Sequence, residues 1–215
     1  KKIIYKDTKL VNWDTKLETA ISDLEVEQKE VQSNLYYIKY QIESEDDFLT
    51  IATTRPETML GDTAVAINPN DQRYKKYIGK KIIVPIVERK VKIIADKYVS
   101  IEQGSGALKV TPAHDFNDFE IGKRHKLTFI NILEKNGTLN KSAPKDLIGM
   151  ERFEARNTII KILKEKNLLE KIENVKNAVP YGDRSNSIIE PLLTEQWFVD
   201  AKFLSKKAIQ VVKKK

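Results

Sequence analysis

The chain has 215 residues, 40% hydrophobic and 32% charged with 8 Gly and 7 Pro, so collagen-like, low-complexity and disordered compositions fit poorly and a folded body of one or two domains is expected. No run of about 18 apolar residues is present and the amino end lacks a secretion-signal pattern, so no membrane partner is expected. With no cysteine there is no disulfide framework, thiolate zinc site or cysteine nucleophile, and 38 Lys and Arg against 31 Asp and Glu give a net +7, a mild bias toward polyanions.

Residues 1 to about 30 read as a connector in which Val11 and Trp13 look extended and Thr15–Leu24 forms a short helical turn. Strand signals follow: "NLYYIKYQI" before the acidic turn Glu45-Asp46-Asp47, then "FLTIATT", which ends at Arg55-Pro56 because the residue before proline is pushed out of helix. "KIIVPIV", the charged turn Glu88-Arg89-Lys90 and "VKIIA" read as a hairpin, with Pro85 confined to an edge or bulge, and "ALKVTPA" completes the set. Short β-branched strands separated by turns predict a barrel or sandwich. Helix signals are fewer. Asp115 with Asp118 three residues later opens a helix through "FNDFEIGKRH", whose basic end complements the helix dipole. Glu151–Asn167 carries a broad apolar face, and a third helix runs from Ala201 to the end. The chain begins at Lys1 and stops within "KKAIQVVKKK", and it reads as a piece of something longer.

Three stretches carry the candidate chemistry: "TTRPETMLGDTAVAINPND" at 53–71, "GSGALKVTPAHDFNDFEIGKRH" at 104–125 and "VPYGDRSNSIIEPLLTEQWFV" at 179–199. Thr53, Thr54, Arg55, Glu57 and Thr58 gather polar groups at a strand end, where a loop can present them to a ligand. A plain turn in which Arg55 pairs with Glu57 explains them equally. Asp115 and Asp118, one helical turn apart, can hold an ammonium group or orient a water, and helix capping alone explains them too. His114 fits an orienting group, a proton shuttle or a structural imidazole. The set His114, Asp115, Asp118 and His125 lacks metal-ligand spacing, so no metal is expected; a metal phosphohydrolase built on His114 and Asp115 is the weakest alternative. No "GxSxG", "GxxxxGK[ST]" or "GxGxxG" occurs.

Together the three stretches resemble the editing insertion, connective peptide 1, of the valyl-tRNA synthetases. The likeness extends from "LVNWDTKLETAISDLEVE" at 10–27 to "EPLLTEQWFVDAK" at 190–202. The "TTRPET" strand end is shared with the isoleucine and leucine relatives, whereas "LGDTAVAINPND", "AHDFNDFEIGKRH" and "YGDRSNSIIEPLLTEQWFV" look like the valine type. Neither a "HIGH" nor a "KMSKS" signature is present, so no aminoacylation is expected of this piece. Trp13-Asp14-Thr15 stands where some members carry "WCP", which removes the case for a zinc knuckle, and Ser105 replaces the threonine of the common "GTG" element.

The resemblance implies a mainly β fold with peripheral α-helices, a closed β-barrel of the Val/Ile/Leu-tRNA synthetase editing-domain type. It implies an editing domain over 33–189, a connecting arm over 1–32 and a return connection over 190–215. It further implies hydrolysis of threonyl-tRNA(Val), after transfer alone or also before it, in a cytoplasmic monomer. Its partners would be the tRNA(Val) acceptor end and the rest of a synthetase; no metal or organic cofactor is implied. Asp118 would hold the α-ammonium of the misattached threonine and Asp115 would read its hydroxyl. Lys109, the third catalytic candidate beside the aspartates or else a partner for a phosphate, would join Thr111, Arg55 and Thr58, with Thr53 and Thr54 beside them, around the terminal adenosine and the ester. The competing expectation is a non-catalytic module that binds the acceptor end and needs the full synthetase to act. The basic segment "RYKKYIGKK" and Lys123, Arg124 and Lys126 either guide tRNA or form a solvated face.

Overall fold

The computed structural model describes residues 3–213, so the last two residues of the expected third helix lie outside the described residues. Two sheets carry the chain. In the smaller, β1 (Ile4–Asp14) pairs antiparallel with β10 (Glu190–Val199), from Ile4 opposite Val199 to Trp13 opposite Glu190, and β2 (Thr19–Ala20) adds to its other edge. Helix α3 (Ala201–Lys213) follows β10 directly. The region expected to be a connector is therefore largely strand. Its weak alternation reflects solvation on both faces along most of β1, where burial begins only toward Leu10, Trp13 and Asp14.

The larger sheet has seven strands. They are β3 (Val26–Ile42), β4 (Phe48–Thr53), β5 (Ala64–Ile67), β6 (Lys81–Val84), β7 (Arg89–Ala95), β8 (Ala107–Val110) and β9 (Leu169–Gly182). Their order is β4-β3-β6-β7-β5-β8, with β9 alongside β3; β5 and β7 are parallel and the other pairs antiparallel. β3 organises the sheet. Its outer half, Val26–Leu35, pairs only with β9, while its inner half also holds β4 and then β6.

Period-2 alternation turns Tyr36, Ile38, Tyr40 and Ile42 of β3 to one buried face, where they meet Leu49 and Ile51 of β4 and Ile82 and Val84 of β6. Helix α2 (Arg152–Glu165) closes that face with Ala155, Ile159 and Leu163. Each fully buried Ile or Leu contributes about 1.5–3 kcal/mol relative to exposure, which makes this cluster the main source of cohesion. Glu151 caps α2 by accepting the Phe153 and Glu154 N–H groups, and Asn167 leaves the helix in the left-handed region at φ 55°.

Helix α1 (Phe116–His125) lies over the other side of β5 and β8, with Ile121 packed among Ala64, Ala66 and Val110. Gly122 permits the close seat, since a Cβ there would stand 2.7 Å from Phe129 and 2.8 Å from Pro112.

The barrel expected to be closed is an open, curled sheet. β4 and β8 stand at its two ends, and no ladder joins them among the described residues. Pro56 stops β4 just past Thr53, β8 has only four residues, and the space between their facing ends is a cavity. No helix among the described residues is long and apolar enough to cross a membrane.

Candidate active site

Thr53, Thr54, Arg55, Thr58, Lys109, Thr111, Asp115 and Asp118, all eight site residues expected from the sequence, line one cavity of about 180 Å³ between the ends of β4 and β8. They come from three elements. The "TTRP" strand end supplies Thr53, Thr54 and Arg55, and the 3-10 turn Pro56–Gly61 that follows buries Thr58. Alternation along β8 and its extension turns Lys109 and Thr111 to the same side, and the α1 N-terminus supplies the two aspartates.

The polar floor is a buried network. Lys109 Nζ donates to Thr58 Oγ1 at 2.7 Å and Thr111 Oγ1 at 2.5 Å, and lies 3.5 Å from Asp62 Oδ1. Thr111 Oγ1 donates to Asp62 Oδ1 at 2.6 Å, while the Tyr40 hydroxyl donates to Asp62 Oδ2 at 2.8 Å. Burial raises the Asp62 carboxyl above its usual range, against the pull of Lys109, Thr111 and Tyr40; burial and Asp62 push the Tyr40 hydroxyl well up. Asp62 and Tyr40 are the partners that the sequence reading passed over. Asp62 stood within the quoted "LGDTAVA", yet only the fold brings it under Lys109.

Asp115 and Asp118 differ. Asp115 is the exposed N-cap of α1, its Oδ1 accepting from Asn117 N at 2.8 Å and Asp118 N at 3.0 Å, so the capping reading holds alongside its place on the cavity. Asp118 is only 5% exposed, and its Oδ2 accepts the Thr111 N–H at 2.8 Å. Burial is the main reason its carboxyl rises to about 7; Asp115 and Asp62 add to the rise, and Lys109 and the Thr111 N–H oppose it. Asp118 is thereby held far above the ordinary range of an aspartate, at the edge between its neutral and charged forms near neutrality.

Arg55 is heavily engaged by the protein. Its Nη1 donates to the His114 carbonyl at 3.0 Å, its Nη2 pairs with Glu190, and its Nε lies 3.6 Å from Glu57. Arg156 meets Glu57 through two bonds of 2.7 Å, and Arg152 Nε donates to the other Glu190 oxygen at 2.9 Å. The Arg55–Glu57 pairing offered as the plain alternative is thus real but secondary to Glu190. A second cavity, about 380 Å³, shares Thr54, Arg55 and Asp115 with the first and continues to Phe116, Phe153 and Arg156. His125 is not part of the site: its Nε2 lies 2.8 Å from Asp96, which also binds Arg124.

The family model of tRNA synthetases class I (I, L, M and V) matches residues 1–215. Valine–tRNA ligase of Pelagibacter ubique (strain HTCC1062) is 65% identical over 215 residues, which cover 100% of this chain and 25% of that protein. The ligase of the same name from Legionella pneumophila (strain Paris) is 55% identical over 212 residues, 99% of this chain and 23% of the other. The chain thus spans about a quarter of the length of these relatives. Among solved structures, the Agrobacterium radiobacter K84 agnB2 LeuRS in its ternary complex with tRNA and LeuAMS matches with a TM-score of 0.53, covering 82% of this chain and 30% of that one. At 16% identity that likeness is one of fold.

Proposed function

The chain belongs to the class I tRNA synthetases (I, L, M and V), and from that premise we propose that it is the editing domain of a valine enzyme, hydrolysing threonine from mischarged tRNA(Val). The observation that carries this reading is the convergence of eight side chains from three elements on one cavity floored by a buried lysine and a buried aspartate.

The chemical need is clear. Threonine and valine are nearly isosteric, and a hydrophobic pocket rejects an added hydroxyl by only about 10², a limit already known for valyl-tRNA synthetases themselves. A second site that hydrogen-bonds the hydroxyl leaves its polar groups unpaired when valine enters, and discrimination can then reach roughly 10⁴–10⁵.

In this reading Asp118 receives the α-ammonium of the threonyl ester. An approaching cation favours the ionised carboxylate, so binding draws the Asp118 proton off near neutrality. Asp115 accepts from the threonine hydroxyl with the oxygen not committed to the helix cap. Lys109, pinned between Thr58 and Thr111, sets a fixed positive charge against the ester oxygen that becomes negative during attack, and because it is already oriented little reorganisation is needed. Arg55, with Thr53 and Thr54, lines the side of the cavity that opens toward Phe116 and Phe153, which suits the terminal nucleoside. A positioned water attacks the carbonyl carbon and the ribose oxygen leaves, with no covalent enzyme intermediate and no cofactor. Residues 33–189 form the editing body, and the strands and helix of 1–32 and 190–215 connect it to the rest of a cytoplasmic synthetase.

The test is incubation of the chain with threonyl-tRNA(Val) and valyl-tRNA(Val). Selective release of threonine supports the reading; binding of both without release would make the chain an acceptor-end binding module instead.

A further inference from the structure

His114 lies on the turn between β8 and α1, is 1% exposed and lines the same cavity as the two aspartates. Its Nε2 accepts the Ile132 backbone N–H at 3.0 Å. A ring nitrogen that accepts carries no proton, so in the neutral imidazole the proton resides on Nδ1. Nδ1 has no hydrogen-bond partner among the described residues. Leaving a buried donor unmatched disfavours a fold by about 1–3 kcal/mol, and native structures leave few such groups without a reason. Burial, with Arg55 and Lys109 nearby, holds the ring well below the usual histidine range, so it stays neutral across the range in which Asp118 changes charge. Those features suit a fixed donor and not a proton carrier.

We propose that His114 is a ligand-binding residue whose Nδ1–H donates to an acceptor oxygen of the aminoacyl ester seated beside Asp115 and Asp118. The inference rests on the aminoacyl-ester reading of the cavity given above. Two oxygens have the required chemistry, the ester carbonyl and the side-chain hydroxyl, and both would meet a donor that the aspartates, as acceptors, cannot supply. If the partner is the hydroxyl, His114 and Asp115 read both its lone pair and its proton, and valine forfeits both contacts.

The experiment follows the His114 ring by 15N-resolved NMR in the chain, alone and saturated with non-hydrolysable threonyl- and valyl-amide analogues of the terminal adenosine. The expected result is a downfield move of the Nδ1 proton on binding with Nε2 unchanged. A move with the threonyl analogue alone assigns the hydroxyl, and a move with both assigns the carbonyl. A saturated cavity with an unmoved Nδ1–H overturns the inference and spares the reading of the site, whereas failure of both analogues to bind overturns the two together. His114→Gln keeps an acceptor for Ile132 N–H and loses the Nδ1 donor; His114→Asn does the reverse. We expect the Gln variant to melt like the parent and bind the threonyl analogue about tenfold more weakly. The Asn variant should melt lower yet bind more tightly than the Gln variant. Parent-like binding by the Gln variant would refute the role.

Discussion

Arg55 and Glu190 form an ion pair across 135 positions of sequence, the first standing two residues past β4 in the large sheet and the second opening β10 in the small one. Glu190 also receives Arg152 from α2, so one nearly buried carboxylate ties both sheets and a helix to the rim of the cavity. Removing one member of such a pair leaves buried charge uncompensated, which typically destabilises by about 3–5 kcal/mol. Glu190→Gln is expected to lower stability by roughly that amount in denaturant melts and to raise KM for the threonyl ester, because Arg55 loses its orientation. An unchanged midpoint would show that Glu57 alone suffices.

Asp118 makes the site pH-dependent. Its folded-state value of about 7 lies above the ordinary 3.8, so between those limits the native state retains a proton that the unfolded chain has lost. Its stabilising contribution is complete below about pH 4 and is lost as pH rises through 7. Asp118→Asn should therefore match the parent near pH 4 and be the more stable protein at pH 8, by up to a few kcal/mol, while losing deacylation. Parallel pH–stability curves for the two proteins would contradict this placement of the proton.

For the intact site, kcat/KM should follow a bell in pH. The rising limb belongs to Asp118 near 7 and the falling limb to loss of the substrate ammonium near about 8, the ordinary range of an α-amine. In Asp118→Asn any residual activity should lack the rising limb. Stopped assays across pH 5–9 measure both.

Lys109 and Asp62 can be separated by a double substitution. Lys109→Met strands the Asp62 carboxylate and should cost about 3 kcal/mol at pH 8 and less at low pH, where Asp62 is protonated. Adding Asp62→Asn should recover most of that stability but none of the deacylation, since the charge facing the ester is gone. Recovered activity would remove Lys109 from the chemistry.

Asp115 has two tasks that substitution can split. Asp115→Ser retains a side-chain acceptor for the Asn117 and Asp118 N–H groups, whereas Asp115→Ala gives up the cap at about 1 kcal/mol. Both should blur the choice between threonine and valine, and only the alanine variant should melt lower.

What the sequence disclosed followed local physics. α1 was legible because Asp115, Asp118 and the basic end lie within ten residues of one another, and β4 because Arg55-Pro56 ends it. The hairpin of β6 and β7 was legible too, although its turn falls at Pro85–Glu88 and Arg89 already belongs to β7. β5 was missed because four consecutive buried residues, Ala64–Ile67, show no period. β9 was missed because its Lys, Glu and Asn faces are wetted along most of its length and its one ladder partner is distant β3. Six of the eight site residues stood out locally, at the polar strand end and the helix opening, and Lys109 and Thr111 were found only through resemblance. Asp62, Tyr40 and Glu190 were found by neither route, since each acts on a residue at least 22 positions away and nothing local marks it.

The unjoined seam between β4 and β8 sets two lips, Ala52–Thr53 and Leu108–Lys109, on opposite sides of the cavity with no ladder between them among the described residues. Backbone outside a ladder opens more readily, so the amides along these lips are expected to exchange with solvent ahead of those in the long β3–β9 ladder. A molecule that touches both lips would bridge what the chain itself leaves unbridged, and exchange there would slow while it is bound.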